Sequence, residues 1–229
     1  MTYRAREALA RAEVVAGYRP YLEQIGELLS GKEIIASGMT EEVERCRRAV
    51  RRAKEGARVV VVSGGDPGVY GMAGLVLEIL HQEGLKRELR IEIIPGVTAA
   101  TAASAALGAP LMHDFATISL SDRLTPWEVI ARRIELAAQA DFVLVLYNPR
   151  SRGRPEHLSR AREIVLQYRR RDTPVGVVRN VGRAEEEIWL SDLDSFIHLP
   201  IDMQATVIIG NSQTRVLDGW MVTPRGYTL

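Results

Sequence analysis

Four valines in series, Val59-Val60-Val61-Val62, lead directly into Ser63-Gly64-Gly65-Asp66-Pro67-Gly68-Val69-Tyr70-Gly71-Met72, and no other stretch restricts the fold as much. Four β-branched residues in a row suit a strand covered on both faces, as in a parallel sheet. The loop after them carries four glycines, a proline and one carboxylate, and Ala73, Val76, Leu77 and Leu80 then recur at helical spacing. Open α/β sheets bind their ligands at the carboxyl ends of such strands. Glycine lets backbone N–H and C=O groups approach a bound molecule closely. The order is neither the dinucleotide Gly-x-Gly-x-x-Gly nor a Walker loop, which needs Gly-Lys-Ser/Thr. Asp66 would repel a pyrophosphate, so the ligand expected here is polar and either neutral or cationic. Asp-Pro-Gly is also an ordinary turn, and that reading stands beside the binding loop.

At 229 residues the chain can form one large domain or two small ones. Thirty basic against twenty-nine acidic residues leave a net charge of +1, which offers no broad field for nucleic acid or an anionic membrane, so neither is an expected partner. The single cysteine, Cys46, excludes an internal disulfide and a cysteine-based metal cluster, and its phase with Val43, Val50 and Ala53 makes it a small core residue. His81, His157 and His198 show no metal-ligand spacing, so no protein-bound metal is expected. No apolar run reaches the length of a membrane span and no apolar signal segment opens the chain, so the expected location is the cytoplasm.

Along the chain, the pattern predicts a helix over 2–12, a strand over 13–16 and a loop over 17–21 that carries Arg19 between two tyrosines. A chain that enters at a helix lacks the first strand of its βαβ unit, so either an open strand edge or a longer reading frame is expected. Thr40 is expected to cap a helix over 41–55. A strand over 90–94 ends in Pro95-Gly96-Val97-Thr98, and Thr98 is expected to cap an alanine-rich helix over 99–107. Residues 110–114 read as a linker, which gives domains 1–112 and 113–229. In the second, a strand over 115–118 precedes Thr125-Pro126-Trp127-Glu128, a capping box with proline at the first helical position. A strand over 142–146 ends in Tyr147-Asn148-Pro149-Arg150, and one over 175–178 ends in Arg179-Asn180-Val181-Gly182-Arg183. Leu158, Ala161, Val165 and Tyr168 mark the helix between them. Strands over 186–190, 205–209 and 220–222 follow with little helix, so the second sheet should be mixed. The fold class is α/β.

These loops, with Pro-Gly-Val-Thr-Ala at 95–99, Ile-Ile-Gly-Asn-Ser at 208–212 and Met-Val-Thr-Pro-Arg-Gly-Tyr at 221–227, make the chain similar to the S-adenosylmethionine-dependent tetrapyrrole methyltransferases that act on cobalamin precursors. Ser-Leu-Ser-Asp at 119–122 and Leu-Thr-Pro-Trp-Glu at 124–128 resemble the members that methylate C17 and contract the ring. The resemblance covers nearly the whole chain, except that the family's opening Gly-x-Gly-Pro-Gly-Asp strand and loop have no counterpart. It implies two αβα domains with the ligand cleft between them, S-adenosylmethionine as cofactor, precorrin-3B or cobalt-factor III as substrate, and a homodimer. It also implies cofactor contacts at Gly64, Gly65, Asp66, Val69, Thr98, Ala99, Tyr147, Asn148, Val181, Ala205 and Thr206. The alternatives are a relative acting on a siroheme precursor, diphthamide or ribosomal RNA, or a nucleotide-binding module that is not a methyltransferase.

Methyl transfer from a sulfonium is an in-line displacement in which the protein positions the reactants and needs no nucleophile of its own. Contraction of the macrocycle also requires proton transfers. His113, Asp114, Ser121 and Asp122 are the candidates, although His113 reads equally well as a structural histidine and Asp122 as a turn cap. Arg19, Arg123, Arg150 and Arg179 are the expected partners of the substrate's carboxylates, because guanidinium pairs with them bidentately.

Overall fold

The computed structural model describes residues 1–228, which divide into two compact units, Met1–Thr98 and the remainder from Ala99 onward. In the first unit, α1 (Tyr3–Arg11) is capped by Thr2, whose Oγ1 accepts a hydrogen bond from Ala5 N. Then follow β1 (Val14–Tyr18), α2 (Arg19–Glu23), β2 (Glu33–Ser37), α3 (Glu42–Lys54), β3 (Val59–Val62) and α4 (Ala73–Gln82). The strands form a parallel sheet in the order β2-β1-β3, with Val15 opposite both Ile34 and Val60. Alternation along β1 explains why it is buried on both faces: Val15 packs with Leu9 and Leu22, whereas Val14 and Ala16 pack with Ala49 of α3. Cys46 and Val50 of α3 meet Ile79 and Leu80 of α4, so Cys46 is a core residue as expected, whereas Val43, expected in the same phase, is exposed.

Three expectations fail in this unit. Thr40 does not cap α3: its φ is +76°, its N–H donates to Glu42 Oε1, and the helix opens at Glu42. The expected loop over 17–21 is instead the end of β1 joined to α2, where Pro20 occupies the first turn that its fixed φ suits. The strand expected over 90–94 does not form, and Ile91 and Ile93 remain exposed. A strand requires a hydrogen-bonded neighbour, and among the described residues none flanks this segment. β2 had no counterpart in the sequence reading, because Ile34 is exposed and the strand's alternation is therefore weak.

The second unit runs α5 (Ala99–Leu107), β4 (Gly108–Ala109), β5 (Phe115–Ser119), α6 (Trp127–Gln139), β6 (Val143–Tyr147), α7 (His157–Val165), β7 (Pro174–Arg179), β8 (Glu187–Asp192), β9 (Ala205–Ile209), β10 (Arg215–Leu217) and β11 (Trp220–Val222). Its main sheet has the order β5-β6-β9-β7-β8, with β5 and β6 parallel and the other pairs antiparallel, the mixed sheet that its turn-linked strands predict. Ile130 and Ile134 of α6 and Leu158 and Val165 of α7 cover one face. Ala100, Ala103 and Leu107 of α5 cover the other, against Val143, Val145, Val178 and Ile208. The sheet leaves room for α5 at Gly176 of β7, where a Cβ would sit 2.3 Å from Leu107 Cδ1. That packing joins α5 to the second unit, which begins at Ala99. α6 begins at Trp127 without a side-chain cap, so the Thr125 capping box does not form; the carbonyl of Pro126 accepts from Val129 N and Ile130 N.

Candidate functional site

In the first unit, β3 runs into the glycine loop, and the loop is held by hydrogen bonds from its own amides. Ser63 Oγ accepts from Met72 N at 3.0 Å. Asp66 Oδ1 accepts from Gly68 N at 2.8 Å and Oδ2 from Gly96 N at 2.9 Å, which joins the loop over 63–72 to the one over 95–98. The amides of Gly96 and then Gly68 hold the Asp66 carboxyl below the usual aspartate value, so it stays ionised. The two loops touch at glycines for a steric reason, since a Cβ on Gly96 would lie 2.0 Å from Gly65 O. Gly65 has φ +74°, the left-handed region that glycine adopts without strain. A Cβ on Gly64 would meet the Tyr21 ring at 2.8 Å, and Tyr21 meets Tyr18 edge-on at 5.3 Å. This is a backbone-lined cradle with one fixed negative charge. It fits S-adenosylmethionine, which carries a sulfonium and an ammonium and no phosphate.

In the second unit, the strand ends expected to bind ligand are mostly engaged in holding their own backbone. Tyr147 Oη accepts from Ala100 N at 2.7 Å near the start of α5, and the Asn148 side chain, on a residue with φ +51°, donates to Ser119 Oγ at 2.9 Å. Ala205 and Thr206 are buried in β9 opposite Arg179 and Val178, and Val181 packs against the α5 cluster. Ala99 opens α5.

Asp122 lies beside two groups that the sequence reading did not connect with it. Arg154 Nε is 3.8 Å from Asp122 Oδ1, and His157 Nε2 is 3.5 Å from Oδ2. Both partners are buried and both bond the carbonyl of Leu120, Arg154 Nη1 at 2.9 Å and His157 Nδ1 at 2.9 Å. A carbonyl only accepts, so Nδ1 carries the hydrogen and Nε2 faces the carboxylate. The Trp127 ring packs on His157 at 4.5 Å, and Arg160 covers Trp127 at 4.3 Å. The arrangement is a half-exposed carboxylate backed by a buried guanidinium and a fixed imidazole. His157 opens α7, whereas Arg154 stands before the helix in the turn bridged to Ser151, so no helical spacing joins the two in the sequence.

The other candidates fall elsewhere. His113 is about half exposed, and its Nδ1 accepts from the N–H of Asp114 next to it. Ser121 N donates to Ser119 Oγ at 3.2 Å. Arg19 and Arg123 are exposed. Arg150 donates to Ile197 O, and its Nε is buried without a partner. Arg179 is already paired with Asp202 at 2.9 Å and Glu187 at 2.6 Å, so it is not a free cation for a substrate acid.

A family model for Tetrapyrrole (Corrin/Porphyrin) Methylases matches residues 1–197. The chain is 52% identical over 229 residues to a probable cobalt-factor III C(17)-methyltransferase of Salmonella typhimurium, covering all of this chain and 94% of the relative. It is 43% identical over 233 residues to a precorrin-3B C(17)-methyltransferase of Sinorhizobium sp, covering 99% and 91% of the two chains. Among solved structures it superposes on the methyltransferase CobJ with a TM-score of 0.92 at 39% identity, over 98% of this chain and 93% of that one. With the glycine cradle and the mixed second sheet already established, the match over most of its length means that this chain belongs to the tetrapyrrole methylase family.

Proposed function

We propose that the protein is an S-adenosylmethionine-dependent C17-methyltransferase of cobalamin biosynthesis that acts on cobalt-factor III or precorrin-3B and contracts the ring. The observation that carries this reading is the 52% identity, over all of this chain and 94% of the relative, to the Salmonella typhimurium protein of that printed name. When bound, the cofactor supplies an electrophilic methyl group on sulfur. Gly64, Gly65 and Val69 approach it through backbone, and the ionised Asp66 favours its cationic groups while holding the loop in shape. No residue of the chain has to act as nucleophile, because the macrocycle carbon does. Asp122 moves the proton that rearrangement requires, with His157 and Arg154 orienting its carboxylate. Arg19, Arg123 and Arg150 meet the peripheral acids. A homodimer and a cytoplasmic location belong to the same reading; light scattering and cell fractionation check them.

The test is incubation of the purified chain with S-adenosylmethionine and each macrocycle in turn, followed by mass analysis and spectroscopy of the product. A singly methylated, ring-contracted product from at least one macrocycle is expected. Recovery of both macrocycles unmethylated overturns the reading.

A further inference from the structure

Arg45 of α3 is 3% exposed, and its surroundings do not neutralise it. Nη1 donates to Ser37 Oγ at 2.5 Å and to Gly38 O at 3.4 Å, Nη2 lies 3.6 Å from Met72 Sδ, and Nε is buried with no hydrogen-bond partner. Among the described residues no carboxylate lies within ion-pair distance of it. The other deeply buried guanidinium groups differ in this respect: Arg154 faces Asp122 and Arg169 faces Asp141. A guanidinium held out of water without a counter-ion is costly, and a protein keeps one where an anion arrives from outside.

The space beside it is suited to such an anion. Arg45 lines a pocket of about 60 Å³ with Tyr18, Tyr21, Ser63, Gly64 and Tyr70, at the carboxyl ends of β1 and β3. That volume holds a group of about two waters' size, enough for a carboxylate and far too small for a macrocycle. We infer that this pocket is a carboxylate subsite in which Arg45 pairs with one acid group of a ligand bound at the glycine loop. The inference rests on the methyltransferase reading only for the source of the acid, either a peripheral acid of the macrocycle or the amino-acid carboxylate of the cofactor.

The chemistry is tested apart from turnover by titrating the chain with propionate, with propionamide as the uncharged control. The readout is the Arg45 Nε–H NMR resonance, assigned by its loss in Arg45→Met. Propionate is expected to shift it saturably and propionamide to leave it in place. Arg45→Met then separates the sources. A macrocycle KM raised at least tenfold with unchanged S-adenosylhomocysteine affinity assigns the acid to the macrocycle, and an S-adenosylhomocysteine affinity lowered at least tenfold assigns it to the cofactor. The melting temperature of Arg45→Met should equal or exceed that of the wild type, because the variant removes a buried unpaired charge. A lowered melting temperature with both affinities within twofold of wild type marks a purely structural clasp and overturns the inference, as does a resonance indifferent to propionate. If the wild-type chain turns over neither macrocycle, the C17-methyltransferase reading fails while the propionate titration still decides the role of Arg45.

Discussion

Replacing Gly96 with alanine tests whether the two loops of the first unit act as one cradle. The added Cβ would lie 2.0 Å from Gly65 O and 3.0 Å from Gly65 C, both backbone atoms that cannot rotate aside. Relief to even the shortest tolerable contact moves the loops apart by about 1 Å, which stretches the 2.9 Å bond from Gly96 N to Asp66 beyond hydrogen-bond range. Hydrogen bonds to charged groups contribute about 1.5–3 kcal/mol. Asp66 is partly exposed to solvent, which favours the lower end, about 1.5 kcal/mol. For a chain of this size that loss lowers the melting temperature by about 3–6 °C. Backbone donors moved by 1 Å no longer meet the cofactor, so S-adenosylhomocysteine affinity should fall at least about tenfold, or about 1.4 kcal/mol. Thermal melting and calorimetry measure the two quantities on the same samples. Gly74→Ala in α4 is the reference, since nothing lies within 4 Å of its added Cβ and alanine favours the helix by up to about 1 kcal/mol. A Gly96→Ala protein that melts within a degree of wild type and binds S-adenosylhomocysteine equally well would refute the coupling of the loops.

Asp66→Asn should lower the melting temperature at neutral pH. The carboxyl's folded value lies below its ordinary 3.8, so its stabilisation is present above that value and is lost only as the pH falls through the lower, folded one; the difference between variant and wild type should therefore close in strong acid and not before. A gap that instead closes between pH 7 and 5 would contradict the assignment. Tyr147→Phe leaves the buried Ala100 N–H without its 2.7 Å partner and should destabilise the chain by about 1 kcal/mol, read by urea unfolding; no change in midpoint would show that the bond contributes nothing. Asp122→Asn should reduce formation of ring-contracted product by about 100-fold or more with S-adenosylhomocysteine affinity unchanged, while His113→Ala keeps wild-type product yield. The reverse pattern would return the proton transfer to His113.

The strand and glycine loop at 59–72 were legible because a run of β-branched residues, a cluster of glycines and a helical repeat each constrain the backbone locally. Cys46 in the core and the turn-linked, mixed second sheet were legible for the same reason. The structural part of Asp66 was not: its carboxylate holds two loops thirty residues apart, a pairing that no local pattern encodes. Thr40 has the composition of a cap and the wrong φ for one, since its conformation follows from where β2 delivers the chain. Residues 90–94 have the β-branched content of a strand, yet strands exist only as pairs, and the decision rested with a neighbour that the described residues do not supply. The sequence by itself determined most of the element types and the glycine loop after β3, which depend on residues near each other in the chain, and the family, which its motifs carry. Only the tertiary structure decided that Asp122 is backed by Arg154 and His157, that Arg179 is already paired, and that Arg45 is buried without a counter-ion among the described residues, because burial and charge pairing depend on distances between segments remote in sequence.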